Sequence, residues 1–93
     1  MRKIEPTTQF KKDFKRERQG QQGASLETDL KAVFDFLRED LALPKEYQDH
    51  QLSGKLKDFR DCHVRPDLIL IYRKEGTTAL QVVRLGSHSQ LNL

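Results

Sequence analysis

Three histidines, His50, His63 and His88, stand in the C-terminal half of the chain, and Asp67 and Arg84 lie among them. Imidazole has an unperturbed pKa of ~6.5, so it takes up and releases protons near neutral pH. Metal-free cleavage of RNA asks for just these residue types. A base removes the proton of the ribose 2′-hydroxyl, which attacks the adjacent phosphorus. A cation stabilises the charge that builds on the phosphoryl oxygens, a task suited to the planar guanidinium of Arg84. An acid protonates the departing 5′-oxygen, and a carboxylate such as Asp67 orients one imidazole. The products are a 2′,3′-cyclic phosphate and a 5′-hydroxyl. Taken one at a time, each histidine reads more simply as a half-exposed structural residue at a strand end.

Other chemistry fits the spacing less well. The gaps of 13 and 25 residues between successive histidines match no compact ligand spacing, so a metal site ranks below acid–base catalysis. Cys62 beside His63 suggests a thiol nucleophile, yet neighbours on a strand point to opposite faces. Cys62 reads instead as a small core residue. Tyr47 and Tyr72 have faces on which bases can stack, but Tyr72 ends an apolar run and Tyr47 follows a proline turn, so core or cap fits both.

The elements that must position these groups are readable from periodicity. Arg2 to Glu5 fits a short edge strand stopped by Pro6. Thr7 or Thr8 caps a helix to about Arg18, with Phe10 and Phe14 one turn apart on its buried face. Gly20 to Gly23 breaks it. Ser25 caps a second helix whose apolar positions Leu26, Leu30, Val33, Phe34, Leu37 and Leu41 follow the 3.6-residue period, with Pro44 as the stop. A polar connector through Gly54 leads to three strands, about Lys57–Val64, Leu68–Lys74 and Ala79–Leu85, with turns at Pro66-Asp67 and Glu75-Gly76-Thr77. Leu68 to Tyr72 is apolar throughout, which predicts the central strand. The expectation is one α+β domain spanning residues 1–93, an N-terminal helical hairpin packed on a small twisted antiparallel sheet.

Composition narrows the class. The 93 residues are 35% hydrophobic and 33% charged, and no apolar run approaches the ~20 residues a membrane-spanning helix needs. The amino terminus has no apolar stretch of the secretory kind, and the single cysteine permits no internal disulfide, so a cytoplasmic address is expected. The net charge is +3, but residues 1–18 alone carry seven Lys/Arg against three Asp/Glu. Lys11, Lys15 and Arg18 share a helical stripe, with Lys12 and Arg16 beside it. Such clustering suits a phosphate-rich partner, while a merely solvated helix face is the simpler account.

The motifs then carry a resemblance. The stretch Leu43-Pro44-x-x-Tyr47-x-Asp49-His50-x-Leu52-x-Gly54, with Arg60-Asp61-x-His63-Val64-x-Pro66-Asp67-x-Ile69-Leu70-Ile71-Tyr72 and Arg84-x-Gly86-x-His88 after it, is similar to the YafQ branch of the RelE superfamily, toxins of bacterial toxin–antitoxin modules. The resemblance covers nearly the whole chain. It implies a microbial-ribonuclease-like fold and a ribosome-dependent endoribonuclease that cuts mRNA in the A site without metal or other cofactor. By position it implies a catalytic set of His50, His63, Asp67, Arg84 and His88. His88 would be the general acid, His50 or His63 the base, and Arg84 the phosphate contact. It turns the basic residues Lys11, Lys12, Lys15, Arg16, Arg18, Lys55, Lys57 and Arg60 into a docking surface for ribosomal RNA. It also implies a cognate antitoxin, commonly in a heterotetramer, with operator DNA reached only through that antitoxin. Two positions depart from the pattern: Leu68 replaces a frequent aromatic, and the tail Ser89-Gln90-Leu91-Asn92-Leu93 lacks the usual one. A non-catalytic RNA- or partner-binding protein of the same fold, and a ribonuclease acting on free RNA, are the rival readings.

Overall fold

A computed structural model describes all 93 residues. In chain order the elements are β1 (Lys3–Pro6), α1 (Thr8–Arg18), α2 (Leu26–Arg38), β2 (His50–Gln51), β3 (Arg60–Arg65), β4 (Leu68–Glu75), β5 (Ala79–Gly86) and α3 (His88–Leu91). One sheet runs in the order β1-β5-β4-β3-β2. The expected meander β3-β4-β5 is antiparallel, and β4 is central, with Leu68 to Tyr72 all buried.

The sheet is not purely antiparallel as expected, because β1 pairs parallel with β5 in the register Ile4 to Leu80. A parallel partner so far away in sequence leaves no local signature. What seats β1 is Arg2, which is buried. Its guanidinium donates to the carbonyls of Gly76 at 2.8 Å and Ala79 at 3.0 Å and to Asp40 Oδ1 at 2.8 Å.

Both long helices cover one face of the sheet. Phe10, Leu26, Leu30, Val33 and Leu37 share a core there with Cys62, Val64, Leu68, Leu70, Tyr72, Leu80, Val82 and Leu85. The helices meet the sheet more than they meet each other, α1 lying along β5 and α2 approaching β3. The turn between them requires Gly23, because a Cβ there would stand 1.8 Å from the Arg18 carbonyl oxygen. The expected cap at Thr7 is present, its hydroxyl accepting from the Phe10 N–H at 3.0 Å. Ser25 occupies the cap position of α2 but turns its hydroxyl to Arg65 at 2.8 Å.

The second helix ends three residues earlier than the apolar stripe predicts. Asp40 adopts a left-handed conformation (φ 57°), and Leu41 N–H closes back onto the Phe36 carbonyl at 2.9 Å. This is the Schellman geometry usually supplied by glycine. The Asp40 carboxylate is fixed by Lys74 at 2.7 Å and Arg2 at 2.8 Å, and both hydrogen bonds hold its pKa down. Leu41 is therefore 56% exposed rather than part of the stripe.

The first helix also completes the sheet. β1 stops at Pro6, opposite Val82, so the outer edge of β5 beyond that point has no strand beside it. Side chains of α1 and its cap serve that bare edge. Thr7 Oγ1 donates to the Val83 carbonyl at 2.8 Å, Asp13 Oδ2 accepts from the Leu85 N–H at 3.0 Å, and Arg16 Nη2 donates to the Leu85 carbonyl at 2.8 Å. An open strand edge is thereby closed by a helix.

Candidate active site

The far face of the sheet, away from the long helices, carries the titratable groups. Along β3 the side chains alternate, so Cys62 and Val64 enter the core while Asp61 and His63 point the other way. The short β2 pairs with β3 so that His50 lies directly across from Asp61. The register continues from Asp61 to Ile71 and from Ile71 to Arg84, making a row His50–Asp61–Ile71–Arg84 across the sheet. A neighbouring row runs His63–Ile69–Gly86, and His88 comes two residues later at the start of α3. The four-residue α3, which the sequence does not announce, is held by a reciprocal cap between Ser87 and Gln90. Leu91 closes it down on Ile69 and Ile71.

His63 and His88 meet edge to face, their ring centroids 5.2 Å apart. His88 Nδ1 lies 2.9 Å from Asp67 Oδ1, and the same oxygen accepts from the His88 backbone N–H at 3.2 Å. An ionised carboxylate only accepts, so the His88 Nδ1 carries a proton and Nε2 is left as an acceptor. These hydrogen bonds hold the Asp67 carboxyl below its ordinary value of 3.8. His63 Nδ1 stands 3.3 Å from the Pro66 carbonyl oxygen, which likewise fixes the proton on Nδ1 and leaves Nε2 as an acceptor.

His50 Nδ1 is 3.0 Å from both the Gln48 carbonyl oxygen and Asp61 Oδ1, but only the first contact has hydrogen-bond geometry. Asp61 is 3% exposed, and its Oδ1 has no hydrogen-bond donor. Burial pushes its pKa up, opposed by the nearby charges of His50, His63 and His88. When ionised, this buried carboxylate stabilises whichever of the nearby imidazoles becomes positively charged. The sequence alone gave Asp61 no role in the site. The signal that could have found it is its place two residues from His63 on the same strand face.

The remaining candidates separate into groups. Arg84 makes no hydrogen bond to the histidines; its Nε donates to Asp13 Oδ2 at 2.8 Å. Lys11, Lys12 and Lys15 are exposed along α1, as are Lys55 and Lys57 in the connector before β3. Arg18 faces Glu27 at 3.3 Å on the surface. Arg16 is occupied by Asp13 and the β5 edge, and Arg60 donates to Asp49 at 3.1 Å. Asp49 also accepts from the Tyr72 hydroxyl at 2.5 Å, which ties the segment before His50 into the core. Leu68 is in the helix-side core and Leu91 in the far-face cluster, so neither presents a face to a base. Cys62 is fully buried, and burial drives its thiol pKa far up, in keeping with a core role. No helix is long and apolar enough to cross a membrane.

Comparison with known proteins places the chain as a whole. Residues 2–93 match the model of the bacterial YafQ toxins of type II toxin–antitoxin systems. An mRNA interferase toxin YafQ of Escherichia coli strain B is 38% identical over 91 residues, covering 97% of this chain and 95% of the relative. A putative toxin YafQ of Haemophilus influenzae is 46% identical over 56 residues, a stretch that spans 57% of this chain and about half (55%) of that relative. Among solved structures, YafQ from E. coli BL21(DE3) superposes with a TM-score of 0.81 at 37% identity, covering 98% of each chain. A copper-bound mutant toxin from Helicobacter pylori reaches 0.85 at 36% identity, covering 98% of this chain and 99% of that one. The E. coli YafQ chain has also been solved in complex with DinJ, with a TM-score of 0.78 at 37% identity and 98% coverage of both chains. The chain belongs to the YafQ family of bacterial toxins of type II toxin–antitoxin systems.

Proposed function

We propose that this chain is an endoribonuclease toxin that cleaves mRNA in the ribosomal A site, a RelE-type activity that halts translation and is neutralised by a cognate antitoxin. The observation that carries the reading is the His63–His88 pair with Asp67 behind His88. Two imidazoles this close serve two oxygens of one phosphodiester. His50 or His63 takes the 2′-hydroxyl proton through Nε2. The 2′-oxygen attacks phosphorus, and the bond from phosphorus to the 5′-oxygen breaks. His88, oriented by Asp67 through Nδ1, delivers a proton to the departing oxygen. Arg84 faces the non-bridging oxygens, and Asp61 offsets the charge gained by His50. Every proton has a donor and an acceptor among these side chains, so the scheme calls on no metal.

The exposed lysines of α1 and the connector supply the attraction for ribosomal RNA. The partner class is that of the DinJ–YafQ complex of the relative. The test maps mRNA ends on programmed ribosomes with wild type and His88→Ala. Loss of the acid should cost about 10²–10⁴-fold in rate. Cleavage by His88→Ala at the wild-type rate would sink the assignment. Toxin dialysed against a chelator and returned to ribosomes in magnesium buffer should keep full activity. A loss restored by copper would tie the chemistry to the metal seen in the H. pylori relative.

A further inference from the structure

Asp13 sits in the middle of the most basic helix and is 0% exposed. Five donors converge on its carboxylate. Oδ2 accepts from Arg84 Nε at 2.8 Å and from the Leu85 N–H at 3.0 Å. Oδ1 accepts from Arg16 Nη1 at 3.0 Å, Gln9 Nε2 at 3.2 Å and Arg84 Nη2 at 3.4 Å. These bonds keep the carboxyl ionised despite its burial, its pKa lying below the ordinary 3.8. A fully buried charge of this kind is costly unless it is paired, so the site is built around it.

The geometry at Arg84 is informative. Asp13 engages the guanidinium side-on through Nε and Nη2, which leaves both Nη1 hydrogens and one on Nη2 free. That remaining end-on edge is the one that matches two oxygens of a phosphate. Arg84 is half-exposed, so the edge is reachable from solvent.

A second arm leads to the general acid. Arg16, fixed by Asp13, donates through Nη2 to the Leu85 carbonyl at 2.8 Å and to Gln90 Oε1 at 3.4 Å. Gln90 Oε1 accepts from the Ser87 N–H at 2.8 Å, in the cap that starts α3 at His88. Gly86 is part of this contact, since a Cβ there would stand 2.9 Å from both Arg16 Nη2 and Gln90 Oε1.

We propose that Asp13 is a positioning residue for RNA cleavage: it holds Arg84 side-on so that its free edge meets the scissile phosphate, and through Arg16 and Gln90 it steadies the short helix that carries His88. The proposal rests on the reading of Arg84 as the phosphate contact.

The test is single-turnover cleavage on programmed ribosomes by Asp13→Asn, Arg84→Ala and the double variant. Ribosome binding is measured in parallel, and folding is checked by circular dichroism. Asp13→Asn keeps the shape and removes the charge. It should lower the cleavage rate about tenfold with ribosome binding within about twofold, as expected when a reacting contact is misplaced rather than lost. Arg84→Ala should lower the rate about 100-fold. The double variant should be slower than Arg84→Ala by clearly less than the loss Asp13→Asn causes alone, because the arm through the missing guanidinium is already gone and only the arm through Arg16 and Gln90 is left to lose. Losses that multiply in the double variant, or wild-type cleavage by folded Asp13→Asn, would overturn the proposal. Wild-type cleavage by Arg84→Ala alone would remove the phosphate role of Arg84 and this proposal with it. Nitrogen NMR of the unaltered protein covers the case of an unfolded variant. The Arg84 Nε–H should exchange slowly with water and sit apart from the other arginines, and a rapidly averaged signal would overturn the proposal.

Discussion

The two faces of the sheet use the same strands for opposite ends. On the helix-covered face, Cys62, Leu70, Tyr72, Val82 and Leu85 pack with Leu26 and Val33 in a continuous apolar core. On the other, Ile69, Ile71 and Leu91 form a small apolar floor, with Asp61 and His63 beside it on β3 and His50 across from Asp61. Large cover on one side supplies stability. Partial cover on the other desolvates ionisable groups while leaving them reachable. The strand alternation that separates Cys62 from His63 also separates these two duties.

Mutations can break this contrast from either side. Leu26→Ala on the covered face should cost about 2–5 kcal/mol, a large share of the stability of a domain this size, and should show as a collapse of the thermal transition. On the open face, Asp61→Asn should do the reverse. The Asp61 pKa is raised in the folded protein, so the folded state loses stability as pH rises through that value. Removing the charge should therefore raise the melting temperature at pH 7, with little change well below the ordinary carboxyl value of 3.8, while slowing cleavage. A melting temperature that falls at pH 7 would show that Asp61 is paired rather than strained. The smallest effect on the fold belongs to Lys11→Glu with Lys15→Glu. Both side chains are exposed, so unfolding should shift by no more than about 0.5 kcal/mol. Co-sedimentation with ribosomes should weaken and become less salt-sensitive, and unchanged sedimentation would leave α1 without a docking role.

Much of this was legible in the residues. The 3.6-residue stripe from Leu26 to Leu37 and the apolar run of β4 found their places because burial on a regular element imposes a period. The histidine motif pointed to the family on its own. What stayed hidden depends on contacts distant in sequence. The end of α2 is set by Asp40 in a glycine-like conformation, held by Arg2 and Lys74. α3 exists because Asp67, Gln90 and Leu91 hold four residues that have little helical preference of their own. Asp13, in the run Lys11-Lys12-Asp13-Phe14-Lys15, reads as a surface charge. Only the bare edge of β5, more than 70 residues on, makes it a buried one.

That edge has a bearing on how the chain comes into being. Synthesis delivers β1 and Asp13 early and β5 late, so the first strand waits for most of the fold before it has a neighbour. Pairings across such a span fold slowly relative to local ones, because the intervening loop must close first. Until Leu85 arrives, the Asp13 carboxylate lacks the amide it is built to receive, and Arg84 and His88 have only just been made or are still to come. A nascent chain therefore carries no complete site while the fold that would hold it is still being synthesised.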